Sequence, residues 1–268
     1  MENVKAESAE EIYRQIEHHL LGDDQPSRYL EELSAQPEFK QYPFTMLLKL
    51  RTTQQSPIHH PEGTAWNHTL LVVDEAAKRR SESRNALIFM WAALLHDIGK
   101  PITTKVRKGK ITAYDHDTAG SKLARDFLSV FTEDQNFIIT VAALVRYHMH
   151  ILYVVKNLPF ADIVGMLRQT DIHEVALLGL CDRMGRADAM QTEEEEQVRF
   201  FIRQCIDEIN RKDRAMAKAG MRRPDPKDPH GTESNKKTHI PKNSVAAVPE
   251  FQGNVKTGKE KSKPIQYD

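Results

Sequence analysis

The segment ALLHDIGKP sets His96 and Asp97 side by side at the end of an apolar run and follows them with the helix stops Gly99 and Pro101. On a regular helix adjacent side chains diverge by about 100°, so an imidazole and a carboxylate can grip one ion together only where the backbone relaxes at a helix end. His68, in WNHTLLVVDEA, and Asp182, in LLGLCDRMGR, also interrupt apolar helical faces. A buried imidazole or carboxylate without a partner costs on the order of several kcal/mol, so each needs a metal or a salt bridge if its face is core. Either residue alone reads as surface-exposed or salt-bridged. Four such interruptions together point to a divalent ion held by His68, His96, Asp97 and Asp182. Nitrogen and oxygen donors without thiolate suit Mn, Fe, Co, Ni, Zn or Mg, with geometry rather than affinity choosing among them.

Further donors lie nearby in the chain. His116, in YDHDTAGSKLA, and His148, in VRYHMH, could hold a second metal or donate to a phosphate. The plainer alternatives are a helix-opening residue for His116 and a helix C-terminal cation for His148. His150 rivals His148 for the same role. His59 and His60 read as loop residues, with His60 a candidate substrate contact, and His18, His19, His173, His230 and His239 receive no role. Lys100, about one turn past the doublet, can meet a phosphate as a point charge, and Thr103 or Thr104 can add a hydroxyl donor. A lysine at a helix C-terminus is favoured by the dipole alone, which is its structural alternative. Arg183 and Arg186 could bind phosphate or pair with surface acids, and surface pairing is preferred for Arg183.

The elements that must position these groups are helical. The apolar period is near 3.6 almost throughout, and alternating β-branched runs bounded by turns are missing, so an all-α bundle is expected. The pattern predicts helices over about Glu10–Leu21, Ser27–Leu33, Phe39–Arg51, Thr64–Arg80, Arg84–Leu95, His116–Phe131, Asp134–Tyr147, Phe160–Arg168, His173–Met184 and Glu193–Lys218. Thr64, Asp117, and Thr132 with Gln135 as a capping box, are the predicted caps. Gly22-Asp23-Asp24 reads as a turn between two helices. VRKGKITAY has Lys-Gly at a turn and β-formers after it but is read as a loop. Three regions are expected: short N-terminal helices over 1–58 capping the bundle, the main helical domain over 59–219, and a disordered basic tail over 220–268, where Pro, Gly, Lys and Ser replace periodic apolar residues.

Composition limits the remaining classes. The 268 residues carry formal net charge +0, yet from Arg211 onward lysine and arginine outnumber acids about two to one, leaving a mildly acidic body. The tail could hold RNA or simply be solvated. Cys181 and Cys205 are too few for a disulfide framework and lack CxxC spacing, so buried free thiols are expected. No stretch reads as a run of ~20 apolar residues, and the acidic polar start does not resemble a secretory signal, so a cytoplasmic protein without a membrane segment is expected. The oligomeric state is left open.

The order His68, then His96-Asp97, then Asp182, with His116 and His148 as the additional histidines, resembles the HD superfamily of metal-dependent phosphohydrolases over about His60 to Arg186. More narrowly, HHPEGTAWNHTLLVVDEAA, HDIGKPITTKVRKGKITAYDHDTAG and LCDRMGR look like the HD domain attached to bacterial CCA-adding tRNA nucleotidyltransferases. Fewer than 60 residues precede His59, with no Gly-Ser-containing strand-turn and paired aspartates among them, so CCA addition is not expected. The resemblance implies an HD-domain helical bundle with one or two divalent ions on His68, His96, Asp97 and Asp182. It implies Asp97 as general base orienting the attacking water, Lys100 as a catalytic and substrate contact, and His116, His148 and Thr103 as further substrate contacts, the two histidines alternatively completing a second metal site. The expected substrate is a phosphomonoester or phosphodiester, above all a nucleotide or cyclic nucleotide. Two alternatives stand beside this: oxygenation at a di-iron centre on the same framework, and an RNA-binding or regulatory module with a structural metal.

Overall fold

Ala86–Leu95, ALIFMWAALL, is apolar around its whole circumference, and a helix of that kind must be wrapped on every side. The computed structural model describes residues 8–218 and shows how the chain wraps it. In chain order the helices are α1 (Ala9–Gly22), α2 (Pro26–Ser34), α3 (Thr45–Leu48), α4 (Ala65–Arg79), α5 (Ala86–Leu95) and α6 (Lys100–Thr103). After a hairpin of β1 (Lys105–Arg107) and β2 (Lys110–Thr112) come α7 (His116–Leu128), α8 (Gln135–Tyr147), α9 (His150–Val155), α10 (Ile163–Gln169), α11 (Ile172–Met184) and α12 (Gln191–Lys218). Helix α5 packs against α1, α4, α8 and α11, α7 lies along α8, and α12 covers α9 and α11. Phe89, Trp91 and Leu94 of α5 join Ile12, Ile16 and Leu20 of α1 and Phe201 of α12 in one buried cluster, so the all-α expectation holds. The N-terminal helices are tied into it by Tyr13, stacked on Trp91 at 4.6 Å, and by Glu31, which accepts from Trp66 Nε1 at 2.6 Å.

Several local expectations are corrected. The helix expected over Phe39–Arg51 is broken into a 3-10 turn at Pro37–Lys40, α3 and a second 3-10 turn at Lys49–Thr52. Pro43, which has no N–H to donate and whose peptide bond to Tyr42 is cis, interrupts the pattern. VRKGKITAY is a hairpin and not a loop: Lys108 and Gly109 both take positive φ, 49° and 76°, as a two-residue turn matched to strand twist requires, and Val106 pairs with Ile111. Thr64 caps α4 as expected, accepting from Asn67 N. Asp117 is not a cap. It lies buried within α7 and binds Arg146 of α8, while Asp115 occupies the cap position. The capping box at Thr132 and Gln135 is replaced by Asp134, which accepts from Phe137 N, because Thr132 Oγ1 is engaged by Asp134 N. The short helices α6 and α9 are additions to the predicted set. The Gln135–Val155 stretch proves long and apolar enough to cross a membrane by length and composition, contrary to expectation, but it is two helices, α8 and α9, whose side chains largely line the bundle core. Cys181 and Cys205 are free and buried. The expected tail over 220–268, with His230 and His239, lies outside the described residues.

Two glycines let the backbone close around the core. A Cβ on Gly99 would fall 2.1 Å from the His116 carbonyl oxygen and 2.6 Å from Gly120 N, so the turn after α5 touches the first turns of α7 backbone to backbone. A Cβ on Gly185 would fall 2.5 Å from Val72 Cγ2 and 3.0 Å from Val72 N, bringing the end of α11 onto α4. Backbone atoms cannot rotate away as a side chain can. Gly99→Ala should therefore cost about 3 kcal/mol or more in a denaturant or thermal melt. Gly22→Ala, with nothing within 4 Å of the new Cβ, should change stability by no more than about 1 kcal/mol. Equal effects from the two substitutions would contradict this reading of the contact.

Candidate metal centre

Each histidine in the core has one ring nitrogen tied down. His96 Nδ1 is 2.8 Å from Ala93 O, His116 Nδ1 2.7 Å from Ala113 O and His148 Nδ1 2.7 Å from Val145 O. All three reach back three residues to a carbonyl, His96 and His148 from the residue that follows a helix, His116 from the one that opens α7. A carbonyl can only accept, so Nδ1 carries the proton and Nε2 presents a lone pair. His68, in the first turn of α4, uses a carboxylate instead: Nδ1 lies 2.9 Å from Glu62 Oε1. The loop preceding α4 is closed by a Gln54–Thr64 bridge, which brings Gln55, His60 and Glu62 to this side of the bundle.

The lone pairs converge on two triads. His68, His96 and Asp182 offer donor atoms within 4.8 Å of one another, as do Asp97, His116 and His148, and all six residues are buried. Asp97 stands between them. Its Oδ2 is 3.2 Å from His96 Nε2, while its Oδ1 is 3.5 Å from His116 Nε2 and 4.0 Å from His148 Nε2. With the Nδ1 protons assigned as above, His116 Nε2 faces His148 Nε2 acceptor to acceptor at 3.2 Å, whereas His68 Nε2 is hydrogen-bonded to Asp182 Oδ1 at 2.9 Å. His96 Nε2 has no hydrogen-bond partner. Buried acceptors aimed at one another need a cation or a shared proton between them. Four imidazoles and two carboxylates fit a borderline or hard divalent ion, and the residues present therefore suit the group.

Electrostatics keep His116, His148, Asp97 and Asp182 in their metal-binding forms, whereas at His68 an ion must displace a proton. Burial, with His116 and His96 close by, pushes His148 down to about 4, and burial also lowers His116 although Asp97 opposes it. Both imidazoles are therefore neutral near pH 7, the form that binds metal. Burial alone would raise Asp97, but His96, Lys100 and His116 outweigh it and hold the carboxyl well below the usual range. Asp182 is likewise held low against burial by the His68 hydrogen bond and by Arg186 and His96. His68 is raised, because the hydrogen bonds to Asp182 and Glu62 overcome burial. Glu62 reaches about 2, burial being outweighed by His68, its own backbone N–H and His60.

Lys100 opens α6 and does not end α5, so the dipole explanation for it fails. It is buried, with Nζ 2.6 Å from Asp97 Oδ2 and donating to Gln55 Oε1. The Thr103 hydroxyl donates to Gly99 O at 3.0 Å, which leaves its oxygen free to accept. His150 is buried apart from the triads: its Nε2 accepts from Asp162 N at 3.2 Å and its ring lies against Tyr147 and Tyr153. His59 is exposed, whereas His60 Nδ1 meets Glu62 at 2.8 Å and its ring stands 4.8 Å from that of His68. Arg183 pairs with Glu194 and Gln197 of α12; its own side chain is buried and its partners are half-buried at the rim of the core. Glu62 and Gln55 were missed by sequence reasoning. A metal-binding histidine normally gives its second nitrogen to a carboxylate or carbonyl, and that rule would have directed a search for an acid near His68.

A family model described as HD domain matches residues 58–196. Curated proteins named multifunctional CCA protein are similar to part of this chain. That of Actinobacillus pleuropneumoniae serotype 5b is 38% identical over 95 residues, 34% of this chain and 22% of that protein. That of Pseudomonas syringae pv. syringae is 26% identical over 147 residues, 55% and 34% of the two chains. That of Verminephrobacter eiseniae is 27% identical over 185 residues, 66% and 43%. The chain spans less than half the length of these relatives.

The two triads predict separable metal occupancy. Elemental analysis should find two equivalents of divalent ion in the wild-type chain and one in the His116→Ala/His148→Ala variant. Glu62→Gln should weaken the ion on the His68 side about 10- to 100-fold in chelator competition. Undiminished affinity in that variant would remove Glu62 from its supporting role.

Proposed function

The chain belongs to the HD-domain family, and from that premise we propose that it hydrolyses a phosphomonoester or phosphodiester of a nucleotide or cyclic nucleotide in a metal-dependent reaction. The observation that carries this reading is the single carboxylate of Asp97 set between two His/Asp triads with Lys100 at its side. Such a pair of positions suits the clamp used on the attacking and leaving oxygens of an in-line displacement. His68, His96 and Asp182 would hold one ion, His116 and His148 the other, and Asp97 would serve both. A bound divalent ion supplies Lewis acidity toward a phosphoryl oxygen and acidifies a coordinated water.

The protein's own groups supply the rest. Asp97, kept ionised in the core, would orient the attacking water by accepting a hydrogen bond from it, its low basicity suiting it to positioning more than to proton storage. Lys100 has three N–H donors, of which Asp97 and Gln55 engage two, leaving one for a phosphoryl oxygen. Its burial makes that charge count for more than it would in bulk water. His116 and His148, if the second ion is absent, can instead face the phosphate. The relatives' name, multifunctional CCA protein, and the resemblance to the HD domain of CCA-adding enzymes support a phosphate carried on a nucleotide. Because the chain spans less than half of those relatives, nucleotide addition is not part of the proposal.

The test is hydrolysis of a chromogenic phosphodiester, a phosphomonoester and 2',3'-cyclic nucleotides before chelation, after it, and after metal add-back. Activity should vanish with the metal and return with it, and both Asp97→Ala and the isosteric Asp97→Asn should fall to background with their helical signal retained. A metal-loaded, fully active Asp97→Ala protein would refute the site. Bound metal with no turnover on any of the three substrates would refute the reaction.

A further inference from the structure

Between Lys100 and His116, both at the metal centre, the chain leaves the bundle as the β1–β2 arm. Within residues 105–110 it carries Lys105, Arg107, Lys108 and Lys110 and no acid, and all four cations are exposed. The register sets Arg107 directly across from Lys110 and Lys105 across from Thr112. Because side chains alternate along a strand, Lys105, Arg107 and Lys110 share one face, while Val106 and Ile111 take the other. Like charges directly opposite destabilise a ribbon, and two short strands have little with which to offset that. Among the described residues none of the four has an ion-pair partner. The Arg107 guanidinium instead lies 5.1 Å from the ring centroid of Tyr114, which is 60% exposed and two residues from His116. One or two lysines are enough to protect a sheet edge from pairing, so protection alone does not account for a cationic face with an aromatic ring at its foot.

We propose that this arm is a docking surface for a single-stranded nucleic acid, so that the metal centre works on a strand end and not on a free nucleotide. A row of separated cations matches the repeating charge of a phosphate backbone, whereas a lone phosphate needs only one or two of them. Tyr114, between the row and His116, supplies a stacking platform for a base. The arm spans only ~10 Å from root to tip and joins Lys100 to His116, so a strand end bound at its root would lie near the metal centre. The identity of the substrate rests on the phosphohydrolase reading, but the binding does not.

The experiment uses the full, metal-loaded chain and a labelled, 3'-phosphorylated oligoribonucleotide of about ten nucleotides, followed by fluorescence anisotropy over a salt series. Lys105→Gln/Arg107→Gln/Lys108→Gln/Lys110→Gln should weaken binding 10- to 100-fold and flatten the salt slope by about 2 to 3, at ~0.7 for each phosphate no longer neutralised. Tyr114→Ala should weaken it about 5- to 100-fold with the slope kept. The ratio of kcat/KM on the oligonucleotide to that on the mononucleotide should fall with the affinity. Unchanged oligonucleotide affinity in the quadruple variant overturns the proposal. So does wild-type binding to phosphatidylserine vesicles without binding to the oligonucleotide, which would make the arm a membrane contact. Arm-dependent oligonucleotide binding without any hydrolysis would support the arm and refute the phosphohydrolase reading, whereas mononucleotide hydrolysis without strand binding would do the reverse.

Discussion

The buried carboxylate of Asp97 is the constraint around which the rest of the molecule is arranged. An ion of that size in a dry core is expensive unless an opposite charge compensates it, and here Lys100 does so at 2.6 Å, while the Nε2 faces of His96, His116 and His148 gather around the same carboxylate. Lys100 in turn is tolerable in the interior only because it pairs with the Asp97 carboxylate and donates to Gln55 Oε1. The turn after α5 must press on α7, through Gly99, for His116 to reach the same carboxylate. The apolar α5 therefore has a second purpose besides filling the core: its end delivers the doublet to the one place where helices α4, α7, α8 and α11 all present polar groups.

Support for the ligands is mostly backbone. Three of the four imidazoles are oriented by a carbonyl three residues back, a contact that depends on local geometry and costs no additional side chain. His68 is the exception, because it sits inside the first turn of a helix whose carbonyls are already committed. It needs Glu62 from the preceding loop, and that loop also carries His60 and Gln55 to the same side. One short segment before α4 thus serves both the ligand and the lysine. The same economy holds on the opposite side, where the segment joining Lys100 to His116 becomes the basic arm.

Much of this was readable from residue order. The helical period, the doublet at the end of an apolar helix, and the interruptions at His68 and Asp182 are local patterns, and local patterns survive without coordinates. The Lys108-Gly109 turn was readable too, yet strand formation was underestimated because two three-residue strands look weak by propensity. The break at Pro43 was visible in the sequence but overruled by apolar spacing, and the caps at Asp117 and Thr132 failed because each polar group was taken by a nearer or stronger partner.

The amino-acid sequence by itself determined the helices, the donor types and the family, because those depend on spacing along one chain. Only the tertiary structure decided how the donors divide. Six polar residues from five parts of the chain could be grouped in many ways on paper, and separation in sequence says nothing about which lone pairs meet. Packing of α4 against α11 and of α7 against α8 sorted them into two triads with Asp97 between, turned Glu62 and Gln55 toward the cluster, and left His150 outside it. Those choices follow from the close approach of helix ends in a dry core, a long-range property that no local pattern encodes.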